Sequence, residues 1–157
     1  MRYFLDTEFN GFGGELISLA LVREDGKSLY LIYPELKWYD FWVQENVLPI
    51  LTNVPFVGVG MTPRLSVNDV HKLEYTWQGH SLIQAFLQGD QNPVIVTDWP
   101  DDIRYFCQAI ITIPGSMINI SQLSFDMVRV DAYPTTLEGA VQHNAWWDAM
   151  ALREKFR

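Results

Sequence analysis

The apolar run that opens the chain, RYFL, ends in two carboxylates, Asp6 and Glu8, separated by a single threonine. A run of this kind reads as a strand, and residues i and i+2 of a strand face the same side, roughly 6.5 to 7 Å apart at Cα. Two ionised acids side by side repel, and burying them is costly unless a cation lies between them or one takes up a proton. A metal is the simplest resolution; a strand end whose acids merely face water is the alternative.

The same arrangement recurs at VIVTDWPDDIRYF, where a second apolar strand ends in Asp98, Asp101 and Asp102 around Pro100, with a helical pattern following. Acids are favoured at a helix N-terminus by capping and by the helix dipole. Three exceed what capping needs. Near the other end, HNAWWDAMALREKF places His143 and Asp148 five residues apart. Mid-helix they would lie about 140° apart around the axis and share no face. The spacing therefore puts His143 on the connection before a helix and Asp148 in its early turns.

Around these clusters the chain reads as one α/β domain over residues 1–157. Residues 2–6, 15–23 and 28–33 have the pattern of three strands in an antiparallel meander, the last two joined by the turn EDGK. A helix is expected within 35–51, stopped before Pro49. Residues 55–63 read as a loop, and Ser66, with Asp69 three residues on, as a helix cap. Helices at 80–88 and after Pro100, strands at 93–97 and within 117–130, and closing helices at TLEGAVQ and NAWWDAMALREKF complete the order. The result is a mixed layer structure, with helices against a partly antiparallel sheet.

Hydrophobic residues make up 48% of the chain and charged residues 19%, the balance of a folded domain. The opening apolar stretch is too short for a secretory signal, and no run approaches the roughly 20 apolar residues of a membrane span, so the expectation is a cytoplasmic protein without membrane contact. A single cysteine, Cys107, fits a reducing compartment and reads as a small core residue. The net charge of −8 argues against wrapping nucleic acid with lysine and arginine, but not against handling phosphates through metal ions held by carboxylates.

Taken together, DTEFNGF on the first strand, an Asp at the head of a central helix and H-x4-D near the C-terminus resemble the DEDDh 3′–5′ exonucleases. Within them, the opening MRYFLDTEF is most similar to the RNase AS group of small bacterial and phage exoribonucleases. The resemblance implies a ribonuclease H-like fold, a mixed sheet of antiparallel meander and parallel strands flanked by helices. It also implies two divalent ions, Mg²⁺ or Mn²⁺, held by Asp6, Glu8, Asp102 and Asp148, with His143 accepting the proton of the attacking water. The middle motif departs from the usual N-x-x-F-D-I; aligning D-I-x-Y places the family Asp on Asp102, with Tyr105 as the packing aromatic and Asp98 as second choice.

The activity implied is hydrolysis of single-stranded RNA from its 3′ end to nucleoside 5′-monophosphates. Phe9, Asn10, Gly11 and Phe12 are the candidate substrate-binding residues, and Phe9, Phe12 or a tryptophan would stack on a base. Phe9 and Phe12 as plain core residues are the alternative. Arg64, Lys72, Arg104 and Arg129 are scattered and form no evident phosphate-binding stripe. RNA is the preferred partner, a DNA-directed exonuclease of the same family is the nearest rival, and an inactive nucleic-acid-binding module is the rival of another class. The resemblance also implies a homodimer, with the aromatic segment 38–42 supplying contact area; a monomer with those rings in its core is the other option.

Overall fold

The chain's structure is a computed structural model that describes residues 1–55, 69–130 and 132–157. Strands β1 (Arg2–Phe9), β2 (Leu16–Arg23) and β3 (Ser28–Ile32) form the expected antiparallel meander, with Asp6 opposite Ala20 and Leu21 opposite Leu29. The β2–β3 reversal passes through Gly26 at φ +95°, a conformation that costs a glycine nothing. Strand β4 (Asp69–Lys72) runs parallel beside β3. Strand β5 (Val94–Thr97) runs parallel beside β1, and β8 (Ser124–Met127) parallel beside β5. The sheet order is β4-β3-β2-β1-β5-β8.

Both faces of this sheet are covered, which is why its central strands are nearly continuous apolar runs. On one face Phe4, Ala20, Val22, Tyr30 and Val96 pack against Trp146, Trp147 and Met150 of helix α4 (Ala145–Glu154). On the other, Tyr3, Leu5, Leu19, Leu21 and Ile95 pack against α2 (Gln78–Leu87) and α3 (Pro100–Ile110) through Ile83, Phe106 and Ile110. Strand alternation therefore sends Asp6 and Glu8 toward the α4 side and Thr7 toward the α3 side. Cys107 is half-buried on α3 and lies outside the core clusters, not within them as expected.

The structure departs from the expected elements in four places. The helix sought in 35–51 is only α1 (Phe41–Asn46), capped by Asp40, whose side chain accepts from the Trp42 amide; Pro49 sits in a separate 3-10 turn, Leu48–Ile50. Its rings are not core: Trp38, Phe41 and Trp42 are exposed. The loop from residue 56, Arg64 and the Ser66 cap lie outside the described residues, but the helix expected to follow is a strand, because residues 69–72 pair with the fully buried β3. TLEGAVQ is irregular, turning at Glu138 and at Gly139, where φ is +79°. Finally, a short hairpin of β6 (Ile111–Ile113) and β7 (Ser116–Met117) follows α3. No helix among the described residues is long and apolar enough to cross a membrane.

Candidate active site

β1 and β5 are parallel neighbours, so their acid-bearing C-terminal ends open at the same edge of the sheet, where α3 begins. Thr7 points away from Asp6 and Glu8 and grips α3. Its amide and hydroxyl donate to Asp102 Oδ1 at 3.1 and 2.6 Å, while the Thr97 hydroxyl at the end of β5 donates to Asp102 Oδ2 at 2.7 Å. Asp102, only 2% exposed, is thus held in the first turn of α3 with both oxygens engaged. Asp6, Asp98 and Asp102 each bring a carboxylate oxygen to within 4.8 Å of the others. Both candidates for the middle acid therefore belong to the cluster, whereas Asp101 accepts from the Trp99 indole and pairs with Arg104.

The other half of the site comes from α4. Buried Asn144 caps that helix by accepting from the Trp146 and Trp147 amides, and its own amide group donates to the Ile50 and Leu51 carbonyls. His143 immediately precedes it at φ 68° and donates its backbone N–H to Asp148 Oδ2 at 3.0 Å. The imidazole meets the Trp42 ring edge-on at 4.9 Å. Glu8, His143 and Asp148 form a second group with donor atoms within 4.8 Å of one another. Asp6, Glu8, Asp98, Asp102, His143 and Asp148 all line one cavity of about 850 Å³.

Among the described residues, no lysine or arginine lines this cavity. The acids pay for that in their protonation. Burial, followed by the charges of Asp102, Asp148, Glu8 and Asp98, raises Asp6 well above the usual carboxylate range, and burial with Asp148 and Asp102 does the same to Glu8. Burial pushes Asp102 up to about 7 against the opposing hydrogen bonds from Thr7 and Thr97. It pushes Asp148 up to about 7 against those from Tyr133 and the His143 amide. Burial also lowers His143, favouring the neutral ring. Asp148 Oδ1 is buried and accepts no hydrogen bond from the described residues. A set of hard oxygen donors with an orphaned carboxylate oxygen and no counter-charge fits divalent cations well.

Of the candidate substrate residues, Phe9, Gly11 and Phe12 line the cavity. Phe9 stacks on Tyr105 at 4.6 Å, which makes Tyr105 the packing aromatic, and Phe12 stands 94% exposed on the turn after β1. Asn10 lies outside the cavity, 3% exposed; it donates to the Trp38 carbonyl and accepts from the Asp40 amide, tying that turn to the start of α1. Gly14 closes the turn because a Cβ there would stand 1.8 Å from the Asn10 carbonyl oxygen. Lys72, Arg104 and Arg129 do not line the cavity, and Arg64 lies outside the described residues. Trp42 and Trp99 are the tryptophans that reach the site, and Thr7, Thr97 and Tyr133 join it without having been singled out. Only Thr7 carried a signal, since a residue between two same-face acids must face the opposite side.

No family model matches the chain. Two proteins of Mycobacterium tuberculosis, from strains CDC 1551 and H37Rv, are both named 3′-5′ exoribonuclease and are each 46% identical to this chain over 55 residues. That match takes in 32% of this chain and 33% of each relative, so the chain spans about a third of the length of the curated relatives it matches.

Proposed function

We propose that the chain is a metal-dependent 3′–5′ exonuclease acting on single-stranded RNA, with a ribonuclease H-like fold of the DEDDh kind and greatest likeness to the RNase AS group. The observation that carries the reading is the convergence of two strand ends and two helix starts on a single cavity that holds Asp6, Glu8, Asp98, Asp102, Asp148 and His143 and, among the described residues, no lysine or arginine. The mixed sheet and the names of the two mycobacterial relatives support it.

Asp6, Glu8, Asp148 and Asp102, with Asp98 as the alternative to Asp102, would hold two divalent ions, Mg²⁺ or Mn²⁺. Such ions acidify water and offset the charge that develops on a reacting phosphodiester. Hard ions prefer oxygen ligands, which leaves the imidazole of His143 for proton transfer although it stands beside Glu8 and Asp148. Neutral His143 takes the proton of the water that attacks the terminal phosphorus. The P–O3′ bond breaks and the departing 3′-oxygen takes a proton from solvent, leaving a 3′-hydroxyl on the shortened chain and a nucleoside 5′-monophosphate, while His143 returns its proton to solvent. Trp42 and the Asp148 contact to the His143 amide hold the ring in place for that transfer.

The test is incubation of the protein with a 5′-labelled single-stranded RNA, or its DNA counterpart, in Mg²⁺, Mn²⁺ or EDTA. A ladder that shortens from the 3′ end of the RNA in either metal and stops in EDTA is expected. Preferential shortening of the DNA would move the assignment to the DNA-directed rival, and no shortening of either would favour a binding module.

A further inference from the structure

Cations that the acid cavity lacks gather at the opposite edge of the sheet. β1 begins there, the β2–β3 turn lies there, and α4, which starts beside the acids, ends there. The Arg2 guanidinium pairs with Glu24 at 3.2 Å, and Arg153 donates to the Glu24 carbonyl at 3.0 and 3.2 Å. Glu154 in turn pairs with Arg153 at 3.4 Å and with Arg157 at 3.0 Å. Lys27 on the turn and Lys155 at the end of α4 are exposed and form no ion pair among the described residues. Arg23 and Asp25 cancel as a two-point pair. Five basic side chains thus stand against two acids, Glu24 and Glu154, on a chain whose net charge is −8. Basic residues at a helix C-terminus complement the helix dipole, which accounts for Arg153 and Lys155 but not for Arg2 and Lys27, which arrive from the sheet.

We propose that this basic edge holds the upstream phosphates of the strand whose 3′ end lies in the acid cavity, so that the two edges of the sheet divide the substrate between them. The inference rests on the exonuclease reading and specifies where the rest of the RNA is held. Along β1, Arg2 and Glu8 are about 20 Å apart at Cα, from the strand rise. At about 3.4 Å per nucleotide of a stacked strand, an RNA needs roughly six nucleotides upstream of the cavity to reach the basic edge. A shorter RNA meets the acid edge alone. Each neutralised phosphate adds about −0.7 to the slope of log affinity against log salt on a single strand. Two to three contacts therefore raise KM about 7- to 18-fold between about 50 and 200 mM monovalent salt, against less than about threefold for a strand that makes at most one.

The experiment measures KM at fixed Mn²⁺ on a four-nucleotide and a twenty-nucleotide RNA, for wild type and for the double variant Lys27→Gln with Lys155→Gln, both at exposed side chains outside the core. Wild type is expected to show the steep salt dependence on the long RNA only. At about 100 mM salt the double variant should raise KM on the long RNA roughly 10- to 30-fold, the scale of two lost phosphate contacts, and flatten the salt slope by about 1.4. Its KM should then differ little between the two RNAs. An unchanged KM on the long RNA, a shallow wild-type salt slope on it, or equal losses on both RNAs would overturn the proposal. Failure of the wild type to shorten either RNA would overturn the exonuclease reading itself. Fluorescence anisotropy of the labelled twenty-nucleotide RNA in EDTA then still reads the basic edge, which stands if the double variant weakens binding and falls if it does not.

Discussion

His143 holds its backbone at φ 68°, a region that residues other than glycine seldom adopt, and this lets one residue serve two ends. Its N–H secures Asp148 while its ring stands over the cavity against Trp42. Burial lowers the imidazole pKa, so the proton-accepting form prevails at neutral pH and kcat should rise with pH through a midpoint below the ordinary histidine value. His143→Ala should lower kcat by about 10² to 10⁴ and remove that limb of the pH profile, with little change in Mn²⁺ affinity. Thr97→Val, which deletes one hydroxyl from Asp102, should cost roughly 10- to 100-fold in activity or metal affinity, read from the Mn²⁺ dependence of the rate. The acids and the histidine were legible because strand and helix periodicity bring each cluster together locally. Thr97 was not, because a threonine in a strand reads as an ordinary β-former, and its hydroxyl meets α3 only after the chain turns at Pro100.

At the scale of elements, α4 is the part on which the site depends most. Asn144 caps it and also ties its start to the 3-10 turn after α1, so two separate elements lose their join if that side chain is cut. Asn144→Ala should destabilise the chain by about 1 to 2 kcal/mol, measured by urea unfolding, with the upper end expected because the Ile50 and Leu51 carbonyls lose a donor as well. Asn144→Asp, which keeps the cap but turns a buried carboxylate oxygen toward the Ile50 and Leu51 carbonyls, should destabilise the chain at least as much as Asn144→Ala. This helix, the meander and the strand–helix pair at Pro100 could be read from apolar periodicity and capping residues. β4 could not: residues 69–72, DVHK, lack apolar alternation, and their extended state follows from pairing with β3. TLEGAVQ has helical composition, but Gly139 turns left-handed and ends any helix there.

At the scale of the whole molecule, the sheet order converts scattered acids into one site. Nothing local in VIVT says that this strand lies beside β1 rather than elsewhere, yet that pairing is what brings Asp98 and Asp102 to Asp6. The cluster also sets how stability depends on pH. Asp6, Glu8, Asp102 and Asp148 keep their protons to higher pH in the folded chain than in the unfolded one, so the folded state binds more protons. In EDTA, the stability they supply is complete below the ordinary carboxylate range, near about 4, and is lost as the pH rises toward about 7. The Tm of the metal-free protein should therefore fall over that interval, and Mn²⁺ should raise it more at pH 8 than at pH 5. The most direct measurement of the central claim is a calorimetric titration of Mn²⁺ into metal-free wild-type and Asp6→Asn protein at pH 7, repeated in buffers of different ionisation enthalpy. The account predicts two bound ions with release of protons from the clustered carboxylates, and loss of at least one ion in Asp6→Asn. An isotherm without binding, or one identical in the two proteins, would contradict it.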